Sequence, residues 1–304
     1  NMPKMNGIQF LRALQRDKIR ARVMMASTDT RDGAAVTMEA LDLGAIDFIE
    51  KPVNIVYLKS SGFKDQFLDT LYAVVSSRQT NISVSPVLTR EKQEESTQRL
   101  VNIVRKSSPV VSGQKIVALA CSTGGPKALQ SVVPRLPAEL AAPVLIVQHM
   151  PKGFTQSLAE RLDSISKVRV KEAAEGDVLE NGVVYISMGG KHMNVVTKGG
   201  RATIKYTDEP PREGVKPCAN YMYESLKSSS YAQIVCVVLT GMGADGTKGI
   251  VNLETSKKIH VIAQDEASST VYGMPKAIAS TGLVNQVVSL DNVAQEIIMN
   301  VGVR

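Results

Sequence analysis

The second part of the chain alternates short apolar runs with segments that carry apolar residues at helical spacing. The runs Val144–Val147 and Ile234–Leu239 are almost continuously apolar, as is typical of strands buried on both faces of a parallel sheet. Their alternation with helical segments predicts an α/β domain built on a doubly wound parallel sheet. The predicted strands are Ile116–Cys121, Val144–His149, Val183–Ser187, Ile234–Thr240 and His260–Gln264, and the predicted helices span about 126–135, 155–162, 221–228, 247–256 and 275–280.

Residues 1–78 show the same alternation on a smaller scale. Apolar residues at helical spacing begin at Ile8, and an apolar run that ends at Ala26 predicts a buried strand. The strand–helix–strand order again predicts parallel pairing. The predicted elements are a helix over Ile8–Gln15, a strand over Arg22–Ala26, a helix over Gly33–Leu43, a strand over Asp47–Glu50 and a helix over about 62–75.

Residues 79–112 separate these two regions and differ from both in composition. They are rich in Ser, Thr, Gln, Glu, Lys and Arg and contain isolated prolines at Pro86 and Pro109, which is typical of a linker. Within them, Thr97–Lys106 has the spacing of one amphipathic helix. A chain of 304 residues is long enough for two domains, so we expect domains at 1–78 and 113–304.

Composition narrows the classes of partner. The net charge of +7 is typical of a solvated basic surface and also compatible with an acidic partner. Trp is absent, aromatic residues make up 4%, and no basic run is interleaved with aromatics, which disfavours nucleic-acid binding. No apolar stretch of about 18 residues and no signal-peptide pattern occurs, so we expect a cytoplasmic protein without membrane insertion.

The cysteines and histidines form no metal-binding pattern. Cys121, Cys218 and Cys236 lie far apart without CxxC spacing, so we expect buried thiols in a reducing compartment. The three histidines lack a ligand pair at short spacing, so we expect no metal site.

A serine at the end of a predicted strand is the main candidate for chemistry. Ser122 follows Lys115–Cys121 and precedes Thr-Gly-Gly-Pro, so a tight turn should expose its hydroxyl at the rim of the sheet, where α/β proteins place their sites. Serine needs a base to become a nucleophile. His149 ends another strand at the same rim and is the candidate base, whereas His192 is assigned to a loop and His260 to the start of a strand.

The acid that would orient the histidine is ambiguous from spacing. Asp245 lies just past the strand Ile234–Thr240, and Asp265 lies just past His260–Gln264. Both are expected at the carboxyl rim, so position alone does not choose between them.

A dinucleotide site is an alternative interpretation of the same region. Gly241–Gly246 matches G-x-G-x-x-G between a strand and a helix, with Asp265 about 20 residues later. Three observations argue against this interpretation. Asp245 would place a carboxylate against the pyrophosphate, and too few residues follow the motif for the second half of a dinucleotide-binding fold. Ser122 and His149 would also have no role. A non-catalytic adaptor or response-regulator scaffold would explain two domains but not these rim residues.

A series of short motifs runs through residues 113–304. They are Ser122-Thr-Gly-Gly, Gln148-His-Met-Pro with Gly153-Phe, Glu160-Arg-Leu, Gly190-Lys-His-Met, Leu239-Thr-Gly-Met-Gly-Ala-Asp-Gly, Ala263-Gln-Asp-Glu-Ala-Ser and Gly273-Met-Pro. In these motifs the region resembles the catalytic domain of the CheB family of chemotaxis protein-glutamate methylesterases. The resemblance implies Ser122, His149 and Asp245 as the catalytic residues. It also implies Met242 as a candidate oxyanion donor and Thr123 as a neighbour of the site, although Thr123 could simply cap the following helix.

The motifs of residues 1–78 are Met2-Pro-Lys-Met-Asn-Gly, Ala40-Leu-Asp-Leu-Gly-Ala-Ile-Asp-Phe and Lys51-Pro. They resemble the C-terminal half of a response-regulator receiver domain, which has a flavodoxin-like fold. The resemblance implies Ser27 as the switch hydroxyl and Lys51 as the signature lysine. The phospho-accepting aspartate and the acidic magnesium-binding pair would precede Asn1, so both are absent from this sequence.

Two residues depart from the family pattern, since an alanine is expected at Cys121 and an acid at Asn220. Neither change is expected to prevent hydrolysis. The resemblance implies a serine hydrolase that removes methyl groups from glutamyl methyl esters of chemoreceptors, with release of methanol, and deamidates certain receptor glutamines. It implies no cofactor for catalysis and Mg²⁺ only for phosphorylation of an intact receiver by a chemotaxis histidine kinase.

Overall fold

Seven parallel strands form the central sheet of the larger domain in a computed structural model, which describes residues 4–28, 30–51, 61–77 and 113–304. The strands are β1 (Met24–Ser27), β2 (Asp47–Glu50), β3 (Lys115–Cys121), β4 (Val144–Gln148), β5 (Arg169–Glu172), β6 (Val183–Ile186), β7 (His192–Lys198), β8 (Arg201–Thr207), β9 (Gln233–Val238), β10 (Lys258–Gln264) and β11 (Gln286–Val288). The helices are α1 (Gly7–Arg16), α2 (Arg31–Asp42), α3 (Ser61–Ser76), α4 (Gly125–Val132), α5 (Phe154–Ile165), α6 (Ala219–Ser225), α7 (Thr247–Glu254), α8 (Met274–Ala279) and α9 (Leu290–Val301), with short 3₁₀ turns at Val133–Arg135 and Leu226–Ser228.

The order of strands across the large sheet is β11-β10-β9-β3-β4-β6-β5. The chain enters the sheet at β3, builds outward on one side through β4, β6 and β5, and then returns to build the other side from β9. The direction of winding therefore reverses between β3 and β9, and a crevice at such a switch point is where doubly wound sheets bind ligands. The predicted doubly wound α/β fold is confirmed.

Apolar residues on both faces explain why β3 lies in the middle of the sheet. Its alternate side chains enter two cores: Val117 and Leu119 pack on the face covered by α4, α5 and α9, and Ile116 and Ala118 pack on the face covered by α6, α7 and α8. β4 is buried along its whole length. Continuous apolar runs thus mark the strands that have helices on both sides.

The sequence did not predict all elements of this domain. All five predicted strands are present, but β5, β11, α9 and the antiparallel hairpin of β7 and β8 were missed. The hairpin alternates buried apolar and exposed polar residues and turns through Gly199 and Gly200, which have φ of 57° and 77°. The assignment of His192 to a loop was therefore wrong, because His192 is the first residue of β7.

The smaller unit contains a parallel pair of strands, β1 and β2, with α1, α2 and α3. The expectation of a buried strand over Arg22–Ala26 was only partly correct, because β1 begins at Met24 and Ala26 is exposed. Within the described residues β1 pairs only with β2. The whole predicted linker, including the helix expected over Thr97–Lys106, lies outside the described residues, and the proposed domain boundaries stay predictions.

The smaller unit packs against the larger domain through α2 and β2. The ring of Phe48 stacks on that of Phe154 at the start of α5, with 4.6 Å between ring centroids. Asp42 at the end of α2 accepts a hydrogen bond from Gln130 at 2.7 Å and forms an ion pair with Arg161 at 2.9 Å.

Within the described ranges, no helix combines the length and apolar character needed to cross a membrane.

Candidate active site

Ser122 begins the turn that leads from β3 into α4. Its N–H donates to the carbonyl of Thr240 at 3.0 Å. Gly124 caps the helix in the left-handed conformation, with φ of 75°. A Cβ on Gly125 would lie 1.9 Å from Gln148 Oε1. Tight packing therefore requires glycines here, and the turn leaves Ser122 half-buried at the rim of the sheet.

His149 lies beside Ser122 because their strands are neighbours in register. Cys121 is paired with Gln148 across β3 and β4, and the N–H of His149 donates to the Cys121 carbonyl at 3.2 Å. The Gln148 side chain donates to the carbonyls of Ser122 and His149 at 3.0 and 3.1 Å. This amide links the two strand exits.

Asp245 reaches the same place from the loop that follows β9. Gly241 in this loop passes so close to the nucleophile turn that a Cβ there would lie 2.8 Å from Ser122 Cβ. Asp245 is 3% exposed, and its Oδ2 lies 2.8 Å from Nε2 of His149. Residues after β3, β4 and β9 thus converge at the switch point of the sheet.

The hydrogen bond between His149 and Asp245 fixes the roles of the ring nitrogens. An ionised carboxylate only accepts hydrogen bonds, so Nε2 carries the proton and Nδ1 is the basic nitrogen of the ring. Burial alone would raise the pKa of Asp245, but the hydrogen bond and charge of His149, with hydrogen bonds from Cys218 and Ala219, lower it below its usual value. Asp245 is therefore ionised at neutral pH.

The carboxylate of Asp245 also accepts hydrogen bonds from the start of α6 and from its own loop. Sequence reasoning missed these donors, since it noted Asn220 only as a departure from the family pattern and three of the four donors are backbone N–H groups that a sequence motif does not mark. The four donors are Ala219 N–H to Oδ2 at 2.6 Å and, to Oδ1, Cys218 Sγ at 3.0 Å, Asn220 N–H at 3.1 Å and Gly246 N–H at 2.8 Å.

Asp265, the other candidate acid, has a local role in the structure. Its carboxylate accepts hydrogen bonds from the N–H and the hydroxyl of Ser268 at 2.9 and 2.5 Å, which closes the turn after β10. The structure therefore brings Asp245, and not Asp265, to the histidine.

The G-x-G-x-x-G segment does not have the geometry of a dinucleotide loop. Asp245 occupies its interior, and the N–H of Gly246, at the start of α7, donates to this carboxylate. A negative charge thus holds the position that a pyrophosphate would need.

We therefore expect no saturable NAD binding by this chain. Titration of NAD into the protein in a calorimeter should give only heats of dilution, because the N–H group that would face a phosphate already binds Asp245. A dissociation constant in the micromolar range would contradict this assignment of the loop.

The candidate oxyanion donor Met242 lies in the loop that packs closely against Ser122. The N–H of Ser122 is occupied by Thr240, so it cannot serve. Met242 follows Gly241, is 40% exposed, and its N–H has no acceptor among the described residues. Its role as an oxyanion donor stays a prediction.

Thr123 does not cap the following helix, as its simpler interpretation proposed. Gly124 occupies the N-cap of α4, and no side chain bonds to that helix start. The carboxyl group of Asp47 instead lies close to the Thr123 side chain and the Gly124 backbone, which lower its pKa against the larger raising effect of burial, and it accepts a hydrogen bond from the N–H of Phe48 at 2.9 Å. The smaller unit thus contacts the residue next to Ser122.

The remaining sequence candidates lie away from this cluster. Ser27 and Lys51 lie at the adjacent ends of β1 and β2, where the Ser27 hydroxyl donates to Gly33 O at 2.9 Å. His260 Nε2 lies 2.9 Å from Gln286 Oε1 in β11. All three cysteines are buried free thiols, as expected. Among the described residues, no cluster of His, Cys, Asp or Glu is arranged to hold a metal ion.

The fold and the cluster together define the class of protein. A serine, a histidine and a buried aspartate at the switch point of a doubly wound sheet form a site of the serine-hydrolase type. A family model of CheB methylesterase matches residues 117–297, and one of the response regulator receiver domain matches residues 1–61. The chain belongs to the CheB methylesterase family, which confirms the resemblance found in the sequence motifs.

Curated relatives match nearly the whole chain. Proteins named protein-glutamate methylesterase/protein-glutamine glutaminase are 39% identical in Geobacillus kaustophilus and 38% identical in Bacillus subtilis, covering 99% and 97% of this chain and 83% and 82% of the relatives. A crystal structure of the Thermotoga maritima CheB methylesterase catalytic domain is 37% identical, with a TM-score of 0.60 over 63% of this chain and 100% of that one.

Proposed function

We propose that this chain hydrolyses glutamyl methyl esters of chemoreceptors and deamidates specific receptor glutamines, as a serine hydrolase of bacterial chemotaxis. The observation that carries the proposal is the hydrogen bond from His149 to the buried Asp245, at a strand exit directly beside Ser122. Membership of the methylesterase family supplies the substrate class.

The first half of the reaction transfers the acyl group to the protein. Ser122 Oγ attacks the side-chain carbonyl carbon of the substrate while Nδ1 of His149 takes the hydroxyl proton. Asp245 stabilises the imidazolium that forms. The proton then passes to the leaving group, which departs as methanol from an ester or as ammonia from an amide, and Ser122 is left as an ester of the glutamyl side chain.

The second half releases glutamate. Water gives a proton to His149 and attacks the ester carbon, and Ser122 leaves with the proton returned by the imidazolium. In both halves the carbonyl oxygen becomes negative, so a preorganised donor beside Ser122 lowers the barrier. The N–H of Met242 is the proposed donor, because it lies next to the close contact between Gly241 and Ser122.

No cofactor is assigned to this chemistry, since the serine, histidine and aspartate supply both the nucleophile and the proton transfers. The proposed partners are methyl-accepting chemoreceptors and, for an intact receiver, a chemotaxis histidine kinase, all reached from the cytoplasm. Mg²⁺ would support phosphorylation of such a receiver. No step of the proposed hydrolysis is assigned to Mg²⁺.

The proposal is tested with receptor membranes. The chain should release labelled methanol from receptors that carry methylated glutamates and ammonia from receptors that carry glutamine at the same positions. Membranes with unmodified glutamates are the control and should release neither. A folded protein that releases neither product from the modified membranes would overturn the proposed function.

We also propose that the smaller unit restricts access to the site, because Asp47 lies close to Thr123 and Gly124 beside the nucleophile. This packing should weaken as the pH rises. Burial raises the pKa of Asp47 from 3.8 to about 7. The packed arrangement therefore favours the protonated carboxyl, so this contribution to stability is complete below about pH 4 and is lost as the pH rises through about 7.

Thermal unfolding near neutral pH measures this effect. Between about pH 5 and about pH 8, the Tm of the wild type should fall by about 5 °C more than that of Asp47→Asn, whose amide cannot ionise. Asp42→Asn is a matched control, because it breaks the exposed ion pair with Arg161 in the same interface and should keep the wild-type fall. Equal falls in the wild type and Asp47→Asn would contradict the role of Asp47.

A further inference from the structure

Asp245, the carboxylate that orients His149, has one other side-chain hydrogen-bond partner among the described residues. The thiol of Cys218 donates to Oδ1 of Asp245 at 3.0 Å. Cys218 is completely buried and is the N-cap residue of α6. Burial, together with the negative charge of Asp245, raises the pKa of the thiol to about 12. The Cys218 thiol is therefore protonated at neutral pH and acts as a hydrogen-bond donor.

The three donors to Oδ1 act differently from the two donors to Oδ2. Cys218, Asn220 and Gly246 approach Oδ1, whereas Oδ2 faces His149 and one backbone N–H. Donors that surround one oxygen resist rotation of the carboxylate about its Cβ–Cγ bond. They also draw negative charge toward Oδ1 and away from the oxygen that faces the imidazole.

His192 binds the backbone of Cys218, whose side chain contacts Asp245. Its Nδ1 accepts the N–H of Cys218 at 3.2 Å, and its Nε2 lies 3.2 Å from the carbonyl of Pro210, to which it donates. Burial lowers the pKa of His192, which keeps the ring neutral with Nδ1 as acceptor. The ring also packs against Tyr221, with centroids 4.5 Å apart.

We propose that Cys218 is a positioning residue for the catalytic Asp245 and that His192 is the anchor of Cys218. His192 fixes the peptide of Cys218, and the Cys218 thiol then fixes the rotation of the carboxylate that orients His149. The inference rests on the proposed function, because it assigns a role in the same reaction. It also gives a task to the Gly190-Lys-His-Met motif, which the triad does not use.

Other titratable groups near Asp245 do not compete for this role. His149 occupies Oδ2. The buried Tyr223 is close enough for the charge of Asp245 to contribute to its raised pKa, but its hydroxyl is directed to the carbonyls of Ala118 and Val237 at 3.2 and 3.1 Å. Among titratable side chains, the geometry therefore leaves the Cys218 thiol as the donor to Oδ1.

Three substitutions separate hydrogen bonding from packing. Cys218→Ala should lower kcat for methanol release about tenfold with little change in KM, because a rotated Asp245 carboxylate would no longer hold the His149 ring in position to take the proton of Ser122. Cys218→Ser retains a donor and should keep kcat within about threefold of the wild type. Cys236→Ala removes a thiol that is equally buried in β9 and should leave kcat and the pH profile unchanged.

The pH profile distinguishes positioning from a general loss of stability. Without the thiol, more negative charge faces the imidazolium, so the acid limb of kcat/KM should move up by about half a pH unit in Cys218→Ala and stay in place in Cys218→Ser. An unchanged kcat and acid limb in Cys218→Ala would overturn the inference. So would a Cys218→Ser protein that behaves like Cys218→Ala, because packing would then explain both.

A readout without substrate separates this inference from the proposed function. In a Ser122→Ala background, ¹⁵N NMR follows the pH at which the His149 ring takes up a proton, and Cys218→Ala should raise it by about half a unit. If this rise occurs but the wild type releases no methanol, the proposed function fails and the inference stands. If the wild type is active and the rise is absent, the inference fails alone.

The anchoring role of His192 is tested with a double-mutant cycle. His192→Asn places an amide oxygen near the position of Nδ1 and should keep most of the activity, whereas His192→Leu removes the acceptor and should lower kcat about tenfold. Because His192 acts through Cys218, adding Cys218→Ala to His192→Leu should cost little more. Fully additive losses would overturn the anchoring role.

Discussion

Replacing Ser122 by alanine should lower kcat for methanol release by about 10⁴-fold or more, because only binding and oxyanion effects remain when a triad nucleophile is lost. The substitution removes one oxygen from a half-buried side chain, while the backbone hydrogen bond from Ser122 to Thr240 is kept. The fold should therefore be intact, as the circular dichroism spectrum and Tm will show. The assay is the initial rate of methanol release at saturating receptor concentration.

Ser131→Ala is the matched control for this substitution. Ser131 lies in α4, the helix that follows the nucleophile turn, and its hydroxyl donates to the carbonyl of Lys127 within that helix. Its replacement should leave kcat within about twofold of the wild type. Near-normal methanol release by folded Ser122→Ala would rule out Ser122 as the nucleophile.

Replacing Asp245 by asparagine should cost about 10⁴-fold in kcat. All four donors from α6 and the loop point at carboxylate oxygens, so the amide NH₂ of an asparagine would face a donor in either orientation. If the NH₂ replaces Oδ2, it faces Nε2 of His149 and favours a proton on Nδ1, the nitrogen that must act as base. Methanol release measured with saturating receptor gives the loss in kcat.

Asp265→Asn is the control for Asp245→Asn. Asp265 lies at a neighbouring strand exit but binds Ser268, so its replacement should change kcat by less than about tenfold. A larger loss in Asp265→Asn than in Asp245→Asn would show that the acid is wrongly assigned. Thermal unfolding of both variants checks that neither loss arises from a failure to fold.

The fold was predictable where apolar runs are long and uninterrupted. β4 and β9 are buried on both faces, so hydrophobicity alone located them. The hairpin of β7 and β8 was missed because its strands are only partly buried and lack the continuous apolar run that marked the other strands, although the helix on which it packs was predicted over about 221–228. β11 has only three residues and an exposed centre at Val287, so it carries little local signal.

The site was predictable as far as motifs and strand order reach. Spacing placed Ser122 and His149 at the same rim, and family resemblance chose Asp245 over Asp265. The contacts made by Cys218 and Asp47 were not predictable, because each joins segments that are distant in sequence and follows from tertiary packing. Thr123 shows the same limit, since its side chain lies near Asp47 of the smaller unit and does not cap the helix that it precedes.

Recovery of enzymatic activity should be a late event when the denatured chain refolds. The hydrogen bond between His149 and Asp245 joins residues 96 positions apart, and β3 pairs directly with β9 across the intervening segment. Contacts of such long sequence separation form slowly, whereas helices form locally and fast. A refolding chain can therefore regain most of its helical signal while it is still inactive. Recovery of activity thus reports on the assembly of both halves of the sheet. A substitution that slows the pairing of β9 with β3 should delay activity without delaying helix formation.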